Sequence, residues 1–120
     1  MSRETYCEIN ELLGKTLIDV RRFDDEAIHF VTKDLEEFKM YHTQSCCESV
    51  YIESIVGDLS DLIGSPIVRA EEKESSGNTE YGDTETWTFY TLATRKGYVD
   101  IRWYGTSNGY YSESVDFVKV

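Results

Sequence analysis

The feature that most constrains this chain is the alternation of apolar and polar residues in residues 98–118. The apolar members lie on both sides of a Thr-Ser-Asn-Gly sequence: Val99, Ile101 and Trp103 before it, Val115 and Phe117 after it. A period of two is typical of a strand with one buried face. A two-residue Asn-Gly turn would place the two apolar rows on opposite faces, so we predict a β-hairpin with a three-residue loop, residues 107–109. In this register Ile101 lies opposite Val115.

A similar pattern occurs earlier, in residues 36–52. Residues 38–43 (FKMYHT) and 101–106 (IRWYGT) share one order of residue types, and each is followed by a Glu-Ser-Val sequence that begins at Glu48 or Glu113. A second pair of similar segments, residues 11–18 and 61–68, precedes them in the same order. Ordered internal similarity is typical of duplication, which makes residues 12–53 and 62–119 two copies of one unit. Two similar hairpins in one sheet are the alternative interpretation.

The local signals predict two short helices and about eight short strands. Thr5 with Glu8 forms a capping box for the first helix, and Asp58 caps the second. Gly14 and Gly64 are typical helix stops. The predicted strands before the closing hairpin are residues 16–22, 27–32, 36–42, 49–55, 67–71 and 85–94.

These elements predict an α+β fold that is mainly antiparallel β. The chain has 120 residues, with 40% hydrophobic and 13% aromatic residues, which fits one domain, residues 1–120. Its halves, about residues 5–56 and 57–120, are expected to be repeated helix–β-meander units with pseudo-two-fold symmetry. Residues 71–85 contain Tyr81 as their large apolar residue and are predicted to be a mobile acidic loop. The predicted core is Leu17 or Ile18, Val20, Ile28, Phe30, Phe38, Met40, Val50, Ile52, Trp87, Phe89, Val99, Ile101, Trp103, Val115 and Phe117.

The charge balance restricts the class of partner. With 23 acidic and 12 basic residues, the formal net charge is −11. This balance argues against binding nucleic acid or an anionic membrane through bulk charge, and it favours a basic protein surface. No apolar run long enough for a signal peptide or a membrane span is visible. Three cysteines, two of them adjacent, do not form a secreted disulfide framework, so we expect a cytoplasmic protein.

Five segments resemble a known family: MYHTQSCCESVYIE, DLIGSPI, TWTFYTLAT, KGYV and IRWYGTSNGYYSESV. Together they resemble a family of small phage and prophage proteins that carry a domain of unknown function. The resemblance extends from Leu12 to Phe117. It implies a bacteriophage-encoded protein that acts in the cytoplasm of an infected bacterium, and it implies no activity, cofactor or catalytic residue.

His42, Cys46 and Cys47 are the weak candidates for chemistry. Sulfur and imidazole ligands suit zinc, but adjacent cysteines rarely reach one metal and no second Cys pair exists. One cysteine packed inward as a small hydrophobe explains the pair better, and a vicinal disulfide is a rarer alternative. Cys47 as a nucleophile, with His42 as base and Glu48 as orienting acid, has suitable residue types but no other support. We therefore predict no metal, no cofactor and no enzyme activity.

The tyrosines provide the better candidate for a binding surface. Amphipathic aromatic residues on a rigid hairpin are typical of protein interfaces. The residues assigned to this surface are Tyr104, Asn108, Tyr110 and Tyr111 at the predicted hairpin tip, Tyr41 and His42 at the matching place in the first copy, and the acidic residues Glu71, Glu72 and Glu74.

The leading hypothesis is a non-enzymatic phage protein that blocks or sequesters a host protein with a basic surface. An anti-defence inhibitor that acts on a nuclease or on a nucleic-acid-binding surface fits this description. A small metal- or cysteine-dependent enzyme and a virion or assembly component are the alternatives. The oligomeric state and the identity of the partner stay open.

Overall fold

The computed structural model describes residues 5–43, 47–108 and 112–120, which form two antiparallel sheets. The five-stranded sheet has the order β1-β9-β4-β3-β2, with β1 Thr5–Tyr6, β2 Leu17–Phe23, β3 Ala27–Thr32, β4 Glu37–Tyr41 and β9 Asp116–Lys119. The four-stranded sheet has the order β5-β8-β7-β6, with β5 Ser49–Val56, β6 Arg69–Asn78, β7 Thr84–Thr94 and β8 Gly97–Ser107.

The mainly antiparallel β architecture is confirmed, but the α+β class is wrong. In the described part of the chain, the predicted helices are single 3₁₀ turns, Ile9–Leu12 and Leu59–Leu62. Thr5 belongs to β1, and Glu8 is the residue that precedes the first turn. Asp58 does cap the second turn through its Oδ1, which accepts the Ser60 N–H at 2.9 Å. Few residues separate each cap from its glycine stop, too few to offset the cost of nucleating an α-helix.

The core lies between the two sheets and contains residues of both. Most of the predicted core is buried: Leu17, Ile28, Phe30, Phe38, Met40, Ile52, Val99, Ile101, Trp103 and Phe117. Val20, Val50 and Val115 pack against this cluster at its margin. At its centre Trp103 Nε1 donates to Met40 Sδ at 3.2 Å, so the two sheets meet through this pair.

The core assignment of β7 is wrong. Tyr90 and Leu92 are buried on the same face of this strand as Thr88 and Thr94, while Phe89 is 36% exposed and Trp87 is half-buried on the opposite face. The strand carries apolar residues on both faces, and its alternation therefore leaves the choice of face open.

The predicted hairpins are also wrong. β8 pairs with β5 and β7, and β9 pairs with β1 and β4, so β8 and β9 lie in different sheets. β4 and β5 are separated in the same way. The first copy contains β2 to β5 and the second contains β6 to β9. The fourth strand of each copy, β5 or β9, thus lies in the sheet of the other copy, and neither copy is a self-contained meander. Alternation specifies which face of a strand is buried, and it does not specify the neighbouring strand.

Despite this exchange, the repeated segments occupy corresponding places. Met40 lies opposite Phe117, and Trp103 lies opposite Ile52. The repeat aligns Met40 with Trp103 and Phe117 with Ile52, so these two pairs are equivalent. The upstream segments correspond as well. The Gly14 N–H donates to the Ile67 carbonyl at 2.8 Å, and the Gly64 N–H donates to the Leu17 carbonyl at 2.9 Å.

The segment predicted as a mobile acidic loop is mostly a strand. Its first part belongs to β6, which pairs with β7 from Arg69 to Asn78 without a register shift. Only the turn of residues 79–83 separates β6 from β7. Low apolar content was the reason for predicting a loop, but β6 lies at the edge of its sheet, where charged side chains are expected because they discourage further pairing.

Candidate interaction surface

An aromatic cluster lies on the outer face of the four-stranded sheet. Tyr104 stands directly opposite Tyr51 on one side and Trp87 on the other, because β8 lies between β5 and β7. The Tyr51 and Tyr104 rings meet edge to face, with centroids 5.9 Å apart, and the Trp87 and Tyr104 rings are 5.3 Å apart. Such cross-strand aromatic pairs stabilise a sheet and hold the rings in place. We call these three residues the aromatic cluster.

A hydrogen bond fixes the polar end of the aromatic cluster. The Tyr104 hydroxyl donates to Glu85 Oε2 at 2.9 Å. Burial and the neighbouring carboxylate of Glu85 raise the pKa of Tyr104 to about 12. The phenol therefore stays protonated and keeps its ring orientation near neutral pH.

The apolar character of this face continues toward Phe89. A shallow cavity of about 370 Å³ adjoins that ring, and Lys73, Asp100 and Arg102 are among its lining residues. Arg102 is also paired with Glu53 at 2.6 Å. The face thus combines aromatic rings with charges of both signs, which is the composition of a protein interface rather than of a core.

A second cavity lies on the other side of the aromatic cluster. It measures about 460 Å³ and is lined by Asp25, Glu26, His42, Glu48, Ser49, Val50 and Tyr51. The β2–β3 turn reaches this place because the Ile52 N–H donates to the Asp25 carbonyl at 2.7 Å. Tyr51 belongs to both the cavity and the aromatic cluster, so the two form one continuous surface. We call this cavity the acidic pocket.

A buried histidine and a buried glutamate face each other in the acidic pocket. The His42 and Glu48 side chains are 5% and 1% exposed, and His42 Nε2 lies 3.7 Å from Glu48 Oε2. His42 Nδ1 is 2.6 Å from the Ser114 carbonyl. A carbonyl oxygen only accepts, so Nδ1 carries the proton and donates. Nε2 has no hydrogen-bond partner among the described residues.

The corresponding glutamate of the second copy, Glu113, is also buried, but its surroundings differ. Its carboxylate accepts hydrogen bonds from the Thr84, Thr86 and Ser107 hydroxyls. Burial alone would raise the pKa of Glu113, but these three hydrogen bonds outweigh it and hold the pKa below its ordinary value. Gly105, the counterpart of His42, leaves no side chain between Glu113 and Val50.

The structure brings together only some of the predicted site residues. Tyr104 lies in the aromatic cluster and His42 in the acidic pocket, while Asn108 is exposed at the end of β8. Tyr41 lies in the other sheet, where the Lys39 ammonium is 4.2 Å from its ring centroid. Tyr110 and Tyr111 lie outside the described residues.

The acidic residues of β6 do not form one row. Successive side chains of a strand point to opposite faces of the sheet. Glu72 and Glu74 stand opposite the buried Tyr90 and Thr88 and point to the core face. Glu71 stands opposite Thr91 and points to the outer face. Glu71 is also paired with Arg69 at 3.0 Å, and the hydrogen bond from Arg69 lowers the pKa of Glu71. The three carboxylates thus point to both sides of the edge strand.

The cysteine chemistry gains no support from the described residues. Cys47 is disulfide-bonded and so offers no thiolate, and Cys46 lies outside the described part of the chain. Cys7 has a free thiol whose pKa is raised by burial. Within residues 5–43, 47–108 and 112–120, no three His, Cys, Asp or Glu side chains are placed to hold one metal ion.

Sequence reasoning missed three important residues of this surface. Tyr51 and Trp87 complete the aromatic cluster, but Trp87 was assigned to the core. Glu113 was named only as part of the repeated Glu-Ser-Val sequence. That repetition was the available signal. A glutamate that occurs at the same place in both copies indicates a residue with a structural role.

One comparison with known proteins identifies the family. A domain of unknown function (DUF7448) matches residues 10–117. The chain belongs to this family. No curated protein matches it, and no solved structure does. In the described part of the chain, no helix is long and apolar enough to cross a membrane.

Proposed function

We propose that this member of the family is a non-enzymatic binding protein that holds a host protein with a basic surface. The aromatic cluster and the acidic pocket form its contact surface. The setting that we propose is the cytoplasm of a phage-infected bacterium, where the protein blocks a defence nuclease or another nucleic-acid-binding protein.

The observation that carries this proposal is the continuity of the aromatic cluster with the acidic pocket through Tyr51. Tyrosine, tryptophan and arginine dominate the binding energy of protein interfaces. Here Tyr104 and Trp87 are held by ring contacts and by the bond to Glu85. A fixed ring loses little conformational entropy when a partner covers it.

Charge supports a basic partner. The net charge of −11 gives long-range attraction to a cationic surface and repulsion from nucleic acid. Such attraction accelerates association and weakens as salt screens it, whereas short-range aromatic contacts govern dissociation. Binding should therefore weaken at high salt, with the change mostly in the association rate.

Site-specific photocrosslinking in bacterial cells tests this proposal. A photoreactive phenylalanine analogue replaces Phe89, which is 36% exposed beside the aromatic cluster, or Phe23, which is 47% exposed on the other sheet. Both positions already hold phenylalanine, so Phe23 is a matched control. We expect one dominant basic protein to crosslink at position 89, not at position 23, and its yield to fall when Trp87→Ala is added.

Two outcomes would overturn the proposal. One is an identical set of crosslinked proteins at both positions, which would indicate random encounters. The other is a dominant product at position 89 that Trp87→Ala leaves unchanged, which would place the contact away from the aromatic cluster.

A further inference from the structure

The edge strands of the two sheets differ in how far they are closed to a further strand. β1 has two residues, and β2 has a register shift. β5 also has a register shift, and its Ile52 N–H is bonded to the Asp25 carbonyl. β6 has ten residues, with no proline and no register shift among them. Since an edge strand presents a row of unpaired N–H and C=O groups, β6 is the most open edge in the described part of the chain.

The turn after β6 shows which of its backbone groups point outward. The Thr79 N–H donates to the Asp83 carbonyl at 2.8 Å, so these two residues form a hydrogen-bonded pair. Along an antiparallel ladder, hydrogen-bonded pairs alternate with non-bonded pairs. The odd-numbered residues of β6 therefore bond to β7, and Glu74, Ser76 and Asn78 direct their N–H and C=O groups away from it. No other backbone group of the described residues bonds to them.

The acidic side chains of this edge specify the charge of a strand that could pair with it. Glu72 and Glu74 are exposed, and both point to the same face. Opposite charges on directly facing residues stabilise a strand pair, whereas like charges destabilise it. A second copy of this chain would bring the same carboxylates and a net charge of −11. The charges that oppose pairing with an identical strand thus favour a strand with lysine or arginine at alternate positions.

The outer face of the same edge favours apolar side chains. Ser75 stands directly opposite Trp87, and a Cβ at Gly77 would have nothing within 4 Å. These small residues leave Trp87 of the aromatic cluster accessible from the side of β6. Lys73 and Phe89 line the cavity of about 370 Å³ on this face. A large apolar side chain on an added strand would lie over Ser75 and reach Trp87.

We propose that β6 binds an extended segment of the protein partner as the fifth strand of its sheet. Basic side chains of this segment face Glu72 and Glu74, and large apolar side chains alternate with them over Ser75. Main-chain hydrogen bonds supply affinity in this mode of binding, and alternate side chains supply specificity. The 3₁₀ turn Ile9–Leu12 lies beside the first part of β6, so the open stretch is residues 72–78, about 20 Å long. This inference rests on the proposed function, since it states how the partner binds.

Hydrogen exchange of the isotope-labelled full chain, measured by NMR, tests the proposal. In the free protein the amides of Ser75 and Gly77 should exchange slowly, and those of Ser76 and Asn78 rapidly. The probe is a short capped peptide in which lysine alternates with valine or tryptophan. It should slow the exchange of the Ser76 and Asn78 amides about tenfold or more, since it gives them hydrogen-bond partners. A peptide with glutamate in place of lysine, and one with the lysines and apolar residues in separate blocks, should not.

Two pairs of variants locate the site. Ser76→Pro removes an outward N–H without removing a bond to β7, as an edge strand tolerates, and it should abolish protection by the peptide. Ser76→Ala keeps the N–H and should preserve protection. Glu74→Lys should raise the dissociation constant of the lysine peptide about fivefold or more. Asp34→Lys, on an exposed turn of the other sheet, makes the same change in net charge and should leave the constant within about twofold.

Equal protection by the lysine and glutamate peptides, protection by neither, or equal effects of Ser76→Pro and Ser76→Ala would overturn the inference. Protection that rises with protein concentration, without peptide, would identify a second copy as the occupant and exclude the partner's strand. Adding the two Ser76 variants to the crosslinking at Phe89 separates this inference from the proposed function. A specific crosslinked protein that Ser76→Pro leaves unchanged would remove the added strand and keep the proposed function. Protection by the lysine peptide with no specific crosslink would have the reverse meaning.

Discussion

The surroundings of Glu48 and Glu113 differ although the two residues occupy equivalent places. Glu113 lies among three hydroxyl donors with Gly105 beside it, so its charge is satisfied within the chain. Glu48 faces His42 in an acidic pocket. The exchange of the fourth strands fixes both glutamates in the same backbone context. The second copy thus surrounds its glutamate with hydroxyl groups, whereas the first copy places its glutamate beside a histidine and near two further carboxylates.

The first prediction concerns the contact between the two copies at the centre of the core. Trp103→Ala should lower the free energy of unfolding by about 3–5 kcal/mol and Met40→Ala by about 2–5 kcal/mol, as expected for buried truncations. Since Trp103 Nε1 contacts Met40 Sδ, the double variant should lose less than the sum of the two. Chemical denaturation of the four proteins measures this, and strict additivity would show that the contact contributes nothing.

The second prediction compares the glutamates themselves. Glu113→Gln should cost about 2–3 kcal/mol of unfolding free energy, because a buried carboxylate with three hydrogen bonds is lost. Glu48→Gln should cost less than half of that, since Asp25 and Glu26 carry like charges into the same pocket. Equal costs, measured by urea denaturation at neutral pH, would mean that both sites serve stability alone.

The third prediction concerns the glycine that closes the second site. A Cβ at position 105 would lie 3.0 Å from Glu113 Cβ and 3.0 Å from Val50 Cγ2, so Gly105→Ala should cost about 1–3 kcal/mol through overpacking. Gly77→Ala on β6 is the matched control, because nothing lies within 4 Å of its Cβ. Thermal unfolding of both variants measures the difference. A tolerated Gly105→Ala would show that the second site has room for a side chain.

The buried faces of most strands were predictable, because alternation follows directly from the geometry of a strand. Ile101 and Trp103 on β8, and Phe38 and Met40 on β4, are buried as predicted. The equivalence of Met40 and Trp103 was also accessible, since the repeat preserved the order of residue types. β7 was assigned to the wrong face, since both of its faces carry large apolar residues.

The pairing of the strands was not predictable in the same way. A Thr-Ser-Asn-Gly sequence between two alternating segments favours a hairpin on local grounds. In the structure, long-range packing overrides this preference, and β9 lies beside β4 instead of β8. The acidic pocket depends on that exchange, because it brings Ser114 to His42 and the β2–β3 turn to β5. The repeated segment contains His42 and Glu48, but nothing in the sequence indicates that Asp25 and Glu26 lie beside them.

The last prediction concerns Glu36, which pairs with a lysine of each copy. Its carboxylate is 2.7 Å from Lys15 and 2.7 Å from Lys119, the latter on the strand that crosses from the second copy. Hydrogen bonds from Lys119 and Lys15 lower the pKa of Glu36 to about 2. A pKa that is lower in the folded state means that the unfolded chain binds the proton more readily. The stabilisation is therefore present above the ordinary pKa and is lost as the pH falls toward about 2.

Glu36→Gln should accordingly make the unfolding free energy less dependent on pH between the ordinary glutamate pKa and that acid limit. Because these side chains are partly exposed, the change at neutral pH should be well below that of Glu113→Gln. Glu80→Gln, on the exposed turn of residues 79–83, is the control and should leave the pH dependence unaltered. Denaturation midpoints measured across the acid range decide the matter. If Glu36→Gln follows the unmodified protein at every pH, the two lysines do not hold the crossing strand, and its pairing with β1 and β4 and the ring contacts of Phe117 hold it instead.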